Sequence, residues 1–324
     1  MVSENTDRDA LARRLRTRPQ STDKRITLQE RDRRWLRTLH QHGPLPSSYL
    51  LDFARDLGTS QKRAKERLTD LFNEANTAHG GPYLMRPLQQ FRTIDSRYNQ
   101  LVYDLAPAGV AALKSAGEWH ELIARPSGPW LHAHFVACIS ASIELAARKD
   151  PELSFISGWR VLERAQASLR HPVTIKEMGG ASSHADLIPD GLFGLEYRTP
   201  AGKRFRFFLI EADRATEPLT SRQSYRKSVW RSFAQYQMYI EGGAYRQHLA
   251  LTAPLLVLNV VTSAQRLQAM QELLVERFPS AAPYQLFRSW EDFAGVWRPT
   301  DPRTDLLTEP WQRSGRSPLA IDRP

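Results

Sequence analysis

The 324-residue chain has a single cysteine, Cys138, so no internal disulfide can form and a cysteine-built zinc site is excluded. That scarcity suits a reducing compartment, and the expected location is the cytoplasm. Long apolar runs are missing too. Ala253 to Val261 is too short to cross a bilayer, and Trp130 to Ala147 is interrupted by His132, His134, Ser140 and Glu144, so no membrane span is expected. No apolar stretch follows the arginine-rich N-terminus to act as a secretory leader. Acidic residues are in short supply, with 35 Asp and Glu against 45 Lys and Arg, a net charge of +10. What is present, 41% hydrophobic and 25% charged residues, is ordinary for a soluble globular protein, and the length suits about two domains. On such a frame the positive surplus points to a polyanion, either nucleic acid or an anionic membrane surface.

The surplus is densest at the start, where residues 1 to 37 carry 11 basic and 6 acidic side chains. Residues 1–26 have few large apolar groups and read as a disordered basic arm. Thr27 and Glu30 then have capping-box spacing ahead of a helical run with Trp35, Leu36 and Leu39, stopped by Gly43-Pro44. A second helix fits Ser47 to Leu57. A third starts from Ser60, with Ala64, Leu68, Leu71, Phe72 and Ala75 on its apolar face, leaving Gln61, Lys62, Arg63, Lys65 and Arg67 on or near the outside. Two β-type stretches, Tyr83 to Leu88 and Tyr98 to Leu105, flank a polar turn holding Arg92 and Arg97, and Pro107 opens a short helix. Three helices and a hairpin, over residues 27–117, is the order of a winged helix-turn-helix. In that motif the third helix enters the major groove of double-stranded DNA, where Arg and Lys reach guanine edges or phosphates.

Residues 118–129, with Pro126, Gly128 and Pro129, read as a linker. Residues 130–297 then alternate helices with strand-like runs, the order of an α/β or α+β domain with a mixed sheet flanked by helices. Five prolines among polar residues after Arg298 suggest a loose tail over 298–324. Within this second module the apolar run Phe205 to Ile210 ends in Glu211-Ala212-Asp213, preceded by Pro189-Asp190. A strand period of two puts Glu211 and Asp213 on one face, and Asp190 can converge from the neighbouring strand. Clustered carboxylates repel unless neutralised, and Mg²⁺ with hard oxygen ligands would do that while activating water beside a phosphate. His132, His134 and Cys138 have zinc-like spacing, but without a fourth ligand a helix packed in the core is the simpler reading.

The arrangement over residues 156 to 261 resembles the PD-(D/E)XK nuclease superfamily. The resemblance matches Glu163 to the carboxylate many members carry on a preceding helix, Asp190 to the motif aspartate and Glu211 to the second acid, and Gln235 and Tyr239 have a Q-x3-Y spacing found in some branches. It departs at the third motif position, where those nucleases usually carry lysine and this chain has Asp213; Lys227 on the next helix could take that role, better placed than Lys203. Over residues 27 to 297 the chain resembles the replication-relaxation family of mobile-element proteins. The shared features are an N-terminal winged helix, Pro189-Asp190-Gly191, Glu211-Ala212-Asp213-Arg214, and a helix with Tyr225 and Lys227. The resemblance implies action on plasmid or integrative-element DNA.

Two expectations follow. In one, the protein is a Mg²⁺-dependent nickase or endonuclease whose winged helix selects the site; Glu163, Asp190, Glu211 and Asp213 hold the metal, and Asp190, Glu211, Asp213 and Lys227 carry the chemistry. In the other, it is a DNA-binding regulator of replication, transfer or transcription with a degenerate nuclease-like domain. Arg222, Arg226, Lys227 and Arg231 form a basic stripe that could follow a phosphate backbone, and a palindromic target would call for a homodimer.

Overall fold

The computed structural model describes residues 16–58, 60–92, 96, 98–123, 129–177, 179–221, 227–294 and 297–324. The chain divides into two compact units between Trp119 and His120.

In the first unit, α1 (Glu30–His42) starts after Gln29, whose backbone N–H donates to Asp32 Oδ2 at 2.9 Å; the expected cap at Thr27 lies further out. Its buried face, Trp35, Leu36 and Leu39, packs in the core, and Trp35 Nε1 donates to Leu50 O at 2.6 Å. β1 (Leu45–Pro46) leads into α2 (Ser47–Phe53), and a 3-10 turn over Arg55–Leu57 completes what the sequence suggests as one longer helix. α3 (Gln61–Asn73) is capped by Ser60, whose Oγ accepts from Arg63 N at 3.4 Å. β2 (Leu84–Met85) and β3 (Val102–Leu105) are antiparallel, β1 pairs on the far side of β3, and α4 (Pro107–Ser115) closes the unit.

The two strands are shorter than the sequence suggests because Pro87 ends the first and a 3-10 turn, Leu88–Phe91, follows. There the buried side chain of Gln90 takes over the ladder, donating to Val102 O and accepting from Val102 N, both at 2.9 Å. Residues 16–26 are a correction to the disordered arm. They follow a fixed course, because Glu74 accepts from Thr22 N at 2.8 Å, Thr22 Oγ1 at 3.0 Å and Lys24 N at 3.2 Å, Lys24 pairs with Asp70 at 2.6 Å, and Ile26 is buried. The part of the arm at residues 1–15 lies outside the described residues.

The second unit is built on a seven-stranded mixed sheet flanked by helices, so the protein is α+β. α5 (Trp130–Ala147) precedes β4 (Leu153–Ser157), an edge strand that the sequence reading missed, and α6 (Gly158–Ala165). A separate two-stranded sheet, β5 (His171–Lys176) and β6 (Ser182–Leu187), comes next. β7 (Gly191–Thr199) and β8 (Gly202–Asp213) then form a long antiparallel hairpin. α7 (Val229–Glu241) and α8 (Ala244–His248) lead to β9 (Leu255–Val261), α9 (Ala264–Arg277) and β10 (Gln285–Ser289). The parallel β8, β9 and β10 occupy the middle of the sheet, and β9 is buried along its whole length, as a strand covered by helices should be. α5 packs across β4, β7 and β8, while α9 packs on β9 and β10. Among the described residues α5 is the one helix long and apolar enough to span a bilayer, with mean hydropathy 1.3, yet 72% of it is buried inside the protein.

Residues 298–324 are not a loose tail. α10 (Asp305–Thr308), β11 (Trp311–Arg313) and β12 (Arg316–Leu319) carry on the sheet beyond β10. Leu306, Leu307, Trp311 and Ile321 are buried, and the hydroxyl of Tyr197 donates to Ile321 O at 2.7 Å. The apolar side chains spaced among the prolines supply the burial.

Two outcomes are expected. Trp311→Ala removes a fully buried side chain and should cost about 3–5 kcal/mol in urea unfolding, whereas an unchanged midpoint would detach β11 from the core. For Glu74, burial raises the carboxyl pKa, but the donors of Thr22, Lys24 and Ser21 outweigh it, so the folded value lies below the usual range. Its contribution is therefore present above the unfolded carboxylate pKa of about 4.3 and is lost as pH falls through the lower folded value. Protection of the Thr22 amide from hydrogen exchange should decline over that acid window, and Glu74→Gln should abolish the dependence.

Candidate functional site

On the first unit, Gln61, Lys62, Arg63 and Lys65 are exposed on the opening turns of α3, while Ala64, Leu68, Leu71 and Phe72 turn inward. The 3.6-residue period divides the helix in this way. No ion pair holds Lys62, Arg63 or Lys65 among the described residues. Arg67 departs from the group. Its Nε and Nη2 reach Asp32 Oδ2 at 3.1 and 2.6 Å, and Nη2 also donates to Thr27 O at 2.8 Å. Asp32 is fully buried, so Arg67 neutralises an internal charge and ties α3 to the start of α1. Arg92 is exposed just after the Leu88–Phe91 turn, and Arg97 lies outside the described residues.

The second unit holds a cavity of about 860 Å³ at the C-terminal end of β8, bounded by β6, the Pro189–Asp190 turn and the start of α7. Asp190, Glu211, Asp213 and Lys227 all line it. Glu163 does not: it is exposed on α6 and stands apart from the carboxylates it was expected to join. Arg222, Tyr225 and Arg226 are outside the described residues. Arg231, from the same expected stripe, is buried and paired with Glu177 at 2.8 Å.

Each carboxylate at the strand end is already held by a protein donor. Asp190 Oδ1 meets His132 Nε2 at 2.8 Å, and Oδ2 accepts from Ala212 N at 2.9 Å. The hydrogen bond to Asp190, opposed by burial, raises the His132 pKa, so this ring donates as an imidazolium more readily than a free one. Glu211 accepts from the Tyr236 hydroxyl. Burial, reinforced by the Asp190 charge, pushes the Glu211 carboxyl well above its usual value. Asp213 Oδ2 is clasped by Arg266 through Nε at 3.0 Å and Nη2 at 2.7 Å, and its Oδ1 accepts from Ala215 N. The Arg266 Nη2 also donates to Glu217 O at 2.8 Å. Glu217 lines the same cavity, and burial raises its pKa as well.

These residues do not fit the expected Mg²⁺ site. A hard cation needs carboxylate oxygens turned towards a common point. Here the oxygens of Asp190 face His132 and a backbone amide, and Asp213 faces a guanidinium that supplies the neutralising charge itself. No group of three or more His, Cys, Asp or Glu side chains among the described residues is arranged to hold a metal. His134 and Cys138 are buried on α5, His134 stacked on Trp130 at 5.1 Å. The Q-x3-Y pair is used within the fold: Gln235 Nε2 donates to Asp186 O at 3.2 Å, and the Tyr239 hydroxyl meets His248 Nδ1 at 2.7 Å. Lys203 pairs with Glu196 across the β7–β8 hairpin at 2.7 Å.

Sequence reasoning missed His132 as the partner of Asp190, and missed Tyr236, Glu217 and Arg266. His132 stands 58 residues before Asp190 and Arg266 stands 53 after Asp213, so no local spacing announces either contact. A family model described as replication-relaxation matches residues 36–254. No curated protein and no solved structure matches the chain.

Arg67→Ala should destabilise the protein by about 3 kcal/mol, because it strands the buried Asp32 charge, while Lys62→Gln should leave the unfolding midpoint in place. Equal effects of the two substitutions in a denaturant titration would contradict this division of labour on α3.

Proposed function

The chain belongs to the replication-relaxation family and so has a replication-related function; from that premise we propose that it binds double-stranded DNA of a plasmid or integrative element through its first unit. The observation that carries this reading is the opening of α3, where Gln61, Lys62, Arg63 and Lys65 stand exposed and the three cations have no ion pair among the described residues. The order of three helices followed by paired strands is that of a winged helix. In that geometry these side chains meet base edges and phosphates in the major groove, and exposed Arg92 meets the backbone from the wing. Arg67 is left out of the contact because Asp32 holds it.

For the second unit the geometry supports a scaffold that does not cut DNA. Cleavage of a phosphodiester by a nuclease of the expected type needs a carboxylate-held metal to activate water and stabilise the leaving oxygen. Asp190 and Asp213 are occupied by His132 and Arg266, and Glu211 is buried against Tyr236. The protein is then a regulator of replication, transfer or transcription.

Fluorescence anisotropy with duplex DNA should show affinity falling steeply between 50 and 200 mM salt, and the double substitution Lys62→Gln with Arg63→Gln should reduce the slope of log K against log salt by about 2. Affinity indifferent to salt would remove the recognition-helix reading. Supercoiled plasmid should keep its topology whether Mg²⁺ or chelator is present; metal-dependent nicking that disappears in Glu211→Ala would overturn the scaffold reading.

A further inference from the structure

The cavity of the second unit holds cations as well as carboxylates. Pairing accounts for the acids Asp190 and Asp213, through His132 and Arg266, and for the cations Arg170 and Arg231, through Asp186 and Glu177. Two cations, Arg214 and Lys227, and two carboxyls, Glu211 and Glu217, line the same space without an ion pair among the described residues, and burial pushes both carboxyls towards their neutral form. Arg214 has no ion pair among the described residues, and its Nε is buried without a hydrogen-bond partner. Lys227 is exposed at the cavity and likewise makes no ion pair among the described residues. Both line the cavity that His132 also lines. A guanidinium nitrogen buried without an acceptor is costly, and such a group calls for one that arrives from outside. The start of α7 adds its favourable dipole for an anion, although its first amides already donate to Pro218, Leu219 and Ser228. The volume, about 860 Å³, far exceeds what a single ion needs and lies within the range of about 300–1,000 Å³ that small organic ligands fill. Part of the wall is apolar: Ile188 is 51% exposed beside buried Leu187 and Phe233.

We propose that this cavity binds a nucleotide, with Arg214 and Lys227 holding its phosphate and the wall around Ile188 receiving the base. The proposal rests on the nucleic-acid reading of the protein only for its choice of ligand class. Arg214, as the planar fork, suits two phosphate oxygens at once, and Lys227 supplies a mobile point charge. The nucleotide is either free or the phosphorylated end of a strand, since both present the same group.

The test is calorimetric titration of the whole protein with inorganic phosphate, deoxyguanosine, deoxyguanosine monophosphate and a 5′-phosphorylated single-stranded octanucleotide. The monophosphate should bind and deoxyguanosine should not. Arg214→Gln and Lys227→Gln should each weaken monophosphate binding by about tenfold or more, the loss expected for one charge-assisted contact. Arg214→Lys should recover part of it. If Arg214→Gln fails to fold, Lys227→Gln at its exposed position still decides the matter. Tighter binding of the octanucleotide identifies a strand end, and equal binding a free nucleotide. No binding of the monophosphate, equal binding of inorganic phosphate and the monophosphate, or affinities unchanged in both glutamine variants would overturn the proposal. Duplex binding measured on the same preparation separates the two readings. Duplex bound without monophosphate defeats this site alone, and monophosphate bound without duplex leaves it standing while the groove-binding reading falls.

Discussion

A carboxylate at the end of a buried strand has to be answered by a proton, a cation or a set of donors, because its charge is poorly solvated there. β8 delivers two such groups, Glu211 and Asp213, and the turn before β7 brings a third, Asp190, so three answers are needed within a few residues. Each comes from a different element: His132 from α5, Tyr236 from α7 and Arg266 from α9. The helices flanking the sheet are thereby pinned to one end of one strand. The space that remains between them is the cavity, where Arg214 and Lys227 stand without an ion pair among the described residues.

The same rule operates in the first unit on a smaller scale. Asp32 is buried where α1 begins, and Arg67 crosses from α3 to meet it. One basic residue of the α3 series is consumed in holding α3 in place, and Lys62, Arg63 and Lys65 keep their exposure beside it. Glu74 does the equivalent at the far end of α3, gathering the backbone of residues 22–24 onto the unit.

Much of the architecture was legible from periodicity and punctuation. Ser60 as a cap, the apolar face of α3, the run into Glu211 and the near-continuous apolar β9 all have local causes that a sequence displays. The short elements were not legible, because β1, β4 and β11 are too brief or too irregular for a period to show, and because Gln90 replaces strand pairing with a side chain. At the site, the identity of the carboxylates could be read and their partners could not. Which face Arg266 presents, or that Arg67 turns inward while Lys65 turns outward, depends on contacts made across tens of residues. Glu163 shows the converse failure, since its position along the chain suggested membership of a cluster from which the orientation of α6 excludes it.

The sheet is completed from its C-terminal end. β11 covers β10, β12 covers β11, and Ile321 receives the hydroxyl of Tyr197 from a strand 124 residues earlier. During synthesis, therefore, β10 with its buried Phe287 is an edge strand until β11 has emerged from the ribosome. The finished edge at β12 is short and carries Pro318, which cannot donate to another strand. Until those two strands emerge the nascent chain carries an open apolar edge, and their pairing closes it.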